Sequence, residues 1–169
     1  MSLPQAGAVS RQELLRRSGV LAIVTGRPGA KASEAPEDAF DLHLCLTEDG
    51  GVYAFNGHVD LGTGIRTALA QIVAEELDVP VEAVTMVLGD TGNAPNQGPT
   101  IASETIQIAA TPLRIAAAQA RGHLLTLGAR YLSVGEGELT TSEAMLRPAS
   151  GAPVSYFELL RNVRTHLPL

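Results

Sequence analysis

Gly57-His58-Val59-Asp60-Leu61-Gly62-Thr63-Gly64-Ile65-Arg66-Thr67 runs without a break into Ala68-Leu69-Ala70-Gln71-Ile72-Val73-Ala74-Glu75-Glu76-Leu77-Asp78, and within this stretch the chain changes period. Before it, apolar residues alternate as on a strand; after it, they recur every third or fourth position as on a helix. Gly62 and Gly64 flank Thr63 at the junction, and glycine there permits positive φ and lets a ligand approach the main chain closely. A helix that begins at such a corner leaves its first N–H groups without intrahelical partners, so free amides are expected to point outward and seat an anion. A strand-to-helix turn that binds nothing has the same signature, and a lone Gly-x-Gly does not choose between the two.

Upstream, order begins near Ala39. Phe40, Leu42, Leu44 and Leu46 alternate with Asp41, His43, Cys45 and Thr47, which predicts a strand with one apolar face. Asp49-Gly50 and Gly51 supply a tight hairpin turn, and Val52 to Val59 returns as a second strand. Downstream, Ile65, Leu69, Ile72, Val73 and Leu77 share one helical face, and Asp78-Val79-Pro80 ends the helix because proline cannot continue the hydrogen-bond ladder. A third strand is expected over 83–88. It leads into Gly89-Asp90-Thr91-Gly92-Asn93-Ala94-Pro95-Asn96-Gln97-Gly98-Pro99-Thr100, a long loop of small and amide residues that is either mobile surface or ligand-contacting.

Ile106, Ala110, Leu113, Ala117, Ala120, Leu124, Leu127 and Tyr131 then define one long helix with an alanine-lined seam. Pro112 falls inside it and predicts a kink or a break. A small hairpin is expected over 138–146, and a short helix over 154–163 capped by Ser155. The fold class is therefore α+β: a single domain in which a mixed or antiparallel sheet is covered by two main helices.

The 169 residues suffice for one domain with a real core. Lys and Arg number 12 against 18 Asp and Glu, and this net charge of −6 excludes a nucleic-acid surface, which needs a clustered basic excess. The single cysteine, Cys45, allows no internal disulfide. No apolar run reaches the about 20 residues of a membrane-spanning helix.

Ser10 to Gly19, with Arg11, Arg16 and Arg17, precedes the short apolar patch Val20-Leu21-Ala22-Ile23-Val24. This is the order of an export leader, but the patch is shorter than the about 7 to 15 residues such a leader carries. A short amphipathic helix or disordered arm is the simpler reading. Residues 25–37, rich in Gly, Pro, Ala and Ser, read as a linker. The expected organisation is a flexible arm over 1–38 and the α+β domain over 39–169. The expected compartment is the cytoplasm, or the periplasm if the leader-like segment functions.

Other residues invite chemistry. His43, Cys45, His58 and Asp60 lie on neighbouring predicted strands and are candidates for a metal, against which stands the plainer reading of a buried thiol and surface imidazoles. Glu75, Glu76 and Asp78 resemble paired carboxylates but point in different directions along a helix. Asp90 is either a turn former or a carboxylate that orients backbone amides. No catalytic residue and no metal ligand is assigned.

The run from Leu44 to Leu160 resembles the N-terminal part of the large, molybdopterin-binding subunit of the xanthine dehydrogenase and aldehyde oxidase family. The branch it looks most like contains the isoquinoline 1-oxidoreductase beta subunits and the cytochrome-linked nicotinate or aldehyde dehydrogenases. The resemblance is carried by Gly62 to Leu77, Gly89-Asp90-Thr91, Pro95 to Ser103, and Ser155-Tyr156-Phe157-Glu158-Leu159-Leu160. Several such blocks in the same order are far more specific than the glycine turn alone.

The resemblance implies a cofactor, molybdopterin, and two segments that hold it. The family's Gly-Gln-Gly turn lies against the cofactor, and its place is held here by Gly62, Thr63 and Gly64. Threonine is too short to reach as far as the family's glutamine. The segment that binds the pterin and its phosphate corresponds to Thr100, Ile101, Ala102 and Ser103.

Family members run several times this length, and the glutamate that serves as general base lies beyond the matched region. The resemblance therefore implies a component of a molybdenum hydroxylase acting on aldehydes or N-heterocycles, inactive alone. A second chain carrying the rest of the site, with or without an iron–sulfur subunit, would complete it. The alternative is a non-catalytic assembly or binding protein that keeps the fold without the cofactor. Self-association through an exposed part of the alanine seam makes a homo-oligomer the expectation for the isolated chain.

Overall fold

The computed structural model describes residues 10–26 and 40–169. Its centre is a five-stranded mixed sheet. Strand β1 (Val20–Gly26) pairs antiparallel with β2 (Phe40–Thr47), which pairs antiparallel with β3 (Val52–Asn56). From β3 the chain crosses over through helix α2 (Ile65–Leu77) to β4 (Val84–Leu88), parallel to β3. The last strand, β8 (Arg164–Pro168), lies parallel to β1, giving the order β4-β3-β2-β1-β8.

Helices α2 and α3 (Ala110–Leu132) cover one face. Leu69, Val73 and Leu77 of α2 and Leu113, Ala116, Ala117, Ala120 and Leu124 of α3 pack on Leu21, Ile23, Leu44, Leu46, Val52 and Ala54. The alanine seam is thus spent on the sheet, where small side chains let the helix axis come close. Beyond α3, β5 (Leu139–Ser142), β6 (Met145–Pro148) and β7 (Val154–Ser155) form a small antiparallel sheet. It leads into α4 (Tyr156–Leu159), whose first turn is capped by the Ser155 hydroxyl accepting from Phe157 N.

Four expectations change. The patch Val20–Val24 is not part of an arm: it is the first five residues of β1, buried on both faces between β2 and β8. Five consecutive apolar residues are too few for a leader but fit a fully buried strand. The short helix before it, α1 (Arg11–Arg16), packs Leu14 and Leu15 with Val20, Ala22, Leu42 and Phe55 on the second face of the sheet. The boundary at 38 is therefore displaced for residues 10–26, while residues 1–9 and the greater part of the expected linker, 27–39, lie outside the described residues.

The single apolar face of β2 is also divided. Ile23 pairs with Leu44 but Val24 pairs with Leu42, so His43 is an extra residue in the ladder. One inserted residue reverses the sidedness of everything beyond it, which sends Leu42 and Phe40 to the α1 side while Leu44 and Leu46 face the helices.

Pro112 does not kink the long helix in its interior. It occupies the first turn of α3, directly after a π turn over Thr105–Ala109. A proline ring collides with the carbonyl four residues back, and a wider turn at that point relieves the collision. Finally, the expected helix over 154–163 contracts to α4, because the segment beyond it turns outward to join β1 as an edge strand. Val20 N donates to Val163 O (2.8 Å) and Leu169 N to Val24 O (2.9 Å). The edge position tolerates Pro168.

Candidate functional site

The glycine corner stands between β3 and α2, as the change of period implies. Gly62 and Gly64 adopt φ of +87° and +76°, and nothing lies within 4 Å of the place where either would carry a Cβ. The amides, however, are not free. The Asp60 carboxylate accepts from Gly62 N (2.9 Å), Thr63 N (3.0 Å) and Arg66 N (3.2 Å). These bonds, led by that from Arg66, hold the Asp60 carboxyl below the usual carboxylate range. The expectation that amides at this corner point outward to seat an anion is therefore corrected: the chain supplies its own anion. The signal was legible, since an Asp two residues before a glycine commonly folds back on the following amides.

The second corner differs. Residues 101–103 make a turn before the π turn, with Ala102 at φ +46° and Glu104 N donating to Ile101 O (3.2 Å). No hydrogen bond from the amides of Ile101, Ala102 or Ser103 forms among the described residues. Left-handed backbone costs an alanine about 1–2 kcal/mol, and such strain clusters at binding sites. Three adjacent amides are thus left without a hydrogen bond among the described residues, on a turn that costs energy to hold.

The two corners face each other. Thr63 from the first and Thr100, Ile101, Ala102 and Ser103 from the second line one cleft of about 470 Å³, with Val59, Leu61, Ile65 and Ile106 as its apolar wall. Thr100 bridges the corners through its hydroxyl, which accepts from Val59 N (2.9 Å). Gly62 and Gly64 shape the first corner but do not line the cleft. Leu61, 75% exposed, and Ile101, 51% exposed, stand at the mouth. The arrangement sets main-chain and hydroxyl groups at Thr100–Ser103 against an apolar wall.

Behind the cleft is a buried polar network that sequence reasoning missed. Asn56 and His58 are almost wholly buried. His58 Nε2 donates to Gln97 O (3.2 Å), which can only accept, so in the neutral ring Nδ1 accepts from the Thr105 hydroxyl (2.8 Å). Asn56 Nδ2 and Gln97 Nε2 both donate to Ala109 O, each at 3.0 Å, and Gly57 N donates to Gln97 Oε1 (2.8 Å). The long loop after β4 is thereby anchored to Gly57, His58 and the end of the π turn, and of its residues Thr100 lines the cleft.

The remaining candidates separate. His43 meets Thr25 Oγ1 (3.0 Å), and burial pushes its imidazole pKa down while the Asp41 carboxylate opposes that shift. Burial pushes the Cys45 thiol up to about 12. With His58 and Asp60 engaged as described, these four do not converge. Among the described residues, no three His, Cys, Asp or Glu side chains come together for a metal ion. Glu76 pairs with Arg114 (2.5 Å) and Asp78 with Arg121 (3.0 Å), so these carboxylates hold α2 to α3. Asp90 is a turn former, accepting from Gly92 N, Asn93 N and Asn93 Nδ2. No helix among the described residues is long and apolar enough to cross a membrane.

Residues 5–166 match the family model of the molybdopterin cofactor-binding domain. The chain belongs to that family. It is 48% identical over 167 residues to a nicotinate dehydrogenase subunit of Pseudomonas putida, covering 94% of this chain and 14% of that protein. It is 29% identical over 180 residues to the isoquinoline 1-oxidoreductase beta subunit of Brevundimonas diminuta, covering 96% of this chain and 23% of that one. A solved Cu,Mo-CO dehydrogenase has the same fold over 83% of this chain and 18% of its own, with a TM-score of 0.62 at 23% identity. The chain thus spans less than a quarter of the length of each.

The two corners of the cleft differ in what their amides are bonded to. The Ile101, Ala102 and Ser103 amides make no hydrogen bond among the described residues, whereas the Gly62 and Thr63 amides are given to Asp60, with Thr63 still lining the cleft.

Proposed function

We propose that this chain holds the phosphate-bearing end of molybdopterin and works as a component of a molybdenum hydroxylase that oxidises aldehydes or N-heterocycles. The observation that carries this reading is the shared cleft, in which Thr63 faces a strained turn with three unspent amides. Ile101, Ala102 and Ser103 would grip the phosphate through main-chain N–H groups and the Ser103 hydroxyl, and Thr63 would meet the other side of the group. An anion there also gains from the start of the long helix, by about 0.3–1 kcal/mol. When bound, the group supplies the redox chemistry of molybdenum; the chain contributes binding, orientation and an apolar wall that excludes water.

A second chain bearing the remaining contacts and a base completes the site, with an iron–sulfur subunit as the electron acceptor. The apolar mouth formed by Leu61, Ile101 and Ile106 supports such a partner. In isolation the same mouth, together with the exposed Ile108 and Ile115, favours a homo-oligomer. The cytoplasm is the proposed compartment. One observation favours the second reading, a non-catalytic binding or assembly protein: Asp60 already fills the glycine corner.

Affinity isolation from a cell that makes the cofactor separates the two. Molybdenum and pterin assayed on the isolated complex are expected together with a second chain. A partner complex with neither would refute the hydroxylase reading and leave the assembly reading.

A further inference from the structure

We infer that His58 is the positioning residue of this site, holding the π turn in the register that aims the Ile101–Ser103 amides into the cleft. The inference deepens the proposed function and rests on it for its consequence, but its structural content stands separately. A π turn is rare and occurs mostly as a single turn in an α-helix, often at a functional site. Here both ends are pinned. Thr105, the first residue of the turn, gives its hydroxyl proton to His58 Nδ1, and Ala109, the last, accepts from Asn56 and Gln97.

His58 ties the first residue of the turn to the loop, as Gln97 ties the last. Its two ring nitrogens join Thr105 and the Gln97 carbonyl, segments 47 and 39 residues away in the chain. The ring is 1% exposed, so water is poorly placed to substitute for either partner. Thr105 is also a lining residue of the cleft, directly after the Ile101–Ser103 corner. With Thr105 released, the first residue of the π turn loses its tie to His58, and the backbone at 101–103 that precedes it is free to shift while Pro112 keeps the turn wide. The amides at 101–103 then change their position relative to the cleft.

The test uses the chain carrying His58→Gln, Thr105→Val or Thr105→Ser. Thr105→Val keeps shape and removes only the hydroxyl, and so serves if His58→Gln fails to fold. In the ligand-free protein, amide resonances of Ile101, Ala102 and Ser103 are expected to move in His58→Gln and Thr105→Val and to stay in place in Thr105→Ser. With inorganic pyrophosphate as the probe, the first two are expected to bind about tenfold more weakly, the equivalent of one lost buried hydrogen bond, and Thr105→Ser to bind as the parent does.

A fall in melting temperature with unmoved amides and unchanged pyrophosphate affinity would make His58 merely structural and overturn the inference. A parent chain that shows the ligand-free shifts on substitution but never binds pyrophosphate would instead sink the proposed function while upholding the positioning role.

Discussion

Replacing Gly57 by alanine tests how the long loop is clamped against the end of β3. A Cβ at this position would sit 2.2 Å from Pro95 O and 3.1 Å from Gln97 N, both backbone atoms. Real Cβ atoms do not approach others closer than 3.0 Å, so the loop must retreat by about 1 Å. Overpacking of this kind costs about 1–3 kcal/mol. The retreat also loosens the bond from Gly57 N to Gln97 Oε1, worth about 1 kcal/mol. At about 2–4 °C per kcal/mol for a domain of this size, the melting temperature should fall by about 4–16 °C.

Gly122→Ala is the control. Nothing lies within 4 Å of its Cβ position and it sits inside α3, so alanine there should stabilise by about 0.5–1 kcal/mol. Calorimetry reads both signs, and the Gln97 side-chain amide resonances report the loop. A Gly57→Ala chain that melts with the parent and leaves those resonances in place would refute the clamp.

Three further outcomes follow from the electrostatics. Burial lowers the His43 pKa, so below about pH 6.5 the unfolded chain takes up a proton that the folded chain refuses. Stability should therefore fall with acidity from there down to the folded pKa, less steeply in His43→Gln; His123, also lowered by burial, is replaced in both chains. Asp60 has the opposite sign: its depressed pKa contributes stability above about pH 4 that is lost as pH falls through the folded value, so Asp60→Asn should flatten the acid limb of a denaturation curve and speed amide exchange at Gly62 and Thr63. Cys45, buried with its pKa pushed up to about 12, should resist an aromatic disulfide reagent at pH 8 in the folded chain and react at once in denaturant.

The elements that periodicity governs were legible. Leu69, Val73 and Leu77 fall on the buried face of α2 as their spacing requires, and the change of period at Gly62 to Gly64 does mark a strand–helix corner. Illegible were features set by pairings across the chain. Nothing local marks His43 as an extra residue in β2, because the bulge exists only in relation to β1. Nor does Arg164–Pro168 announce a strand, since its partner lies more than a hundred residues earlier.

At the cleft, Thr100 to Ser103 are singled out in the sequence by a family resemblance alone, and that the amides of Ile101, Ala102 and Ser103 lack partners among the described residues is visible only with the turn at Ala102. Asp60 shows the converse. Its place before the glycines was plain in the sequence, yet the expected anion seat overlooked the carboxylate beside it.

The proposed function requires the corner at Ile101–Ser103 to take a phosphate, while at the other corner the Gly62 and Thr63 amides are bonded to Asp60. The direct measurement is an amide chemical-shift map of the chain titrated with inorganic pyrophosphate. Saturable changes centred on Ile101, Ala102 and Ser103, with the Gly62 and Arg66 amides unmoved, are the predicted result. Changes centred on Gly62 and Arg66, or no saturable change anywhere on the cleft, would contradict it.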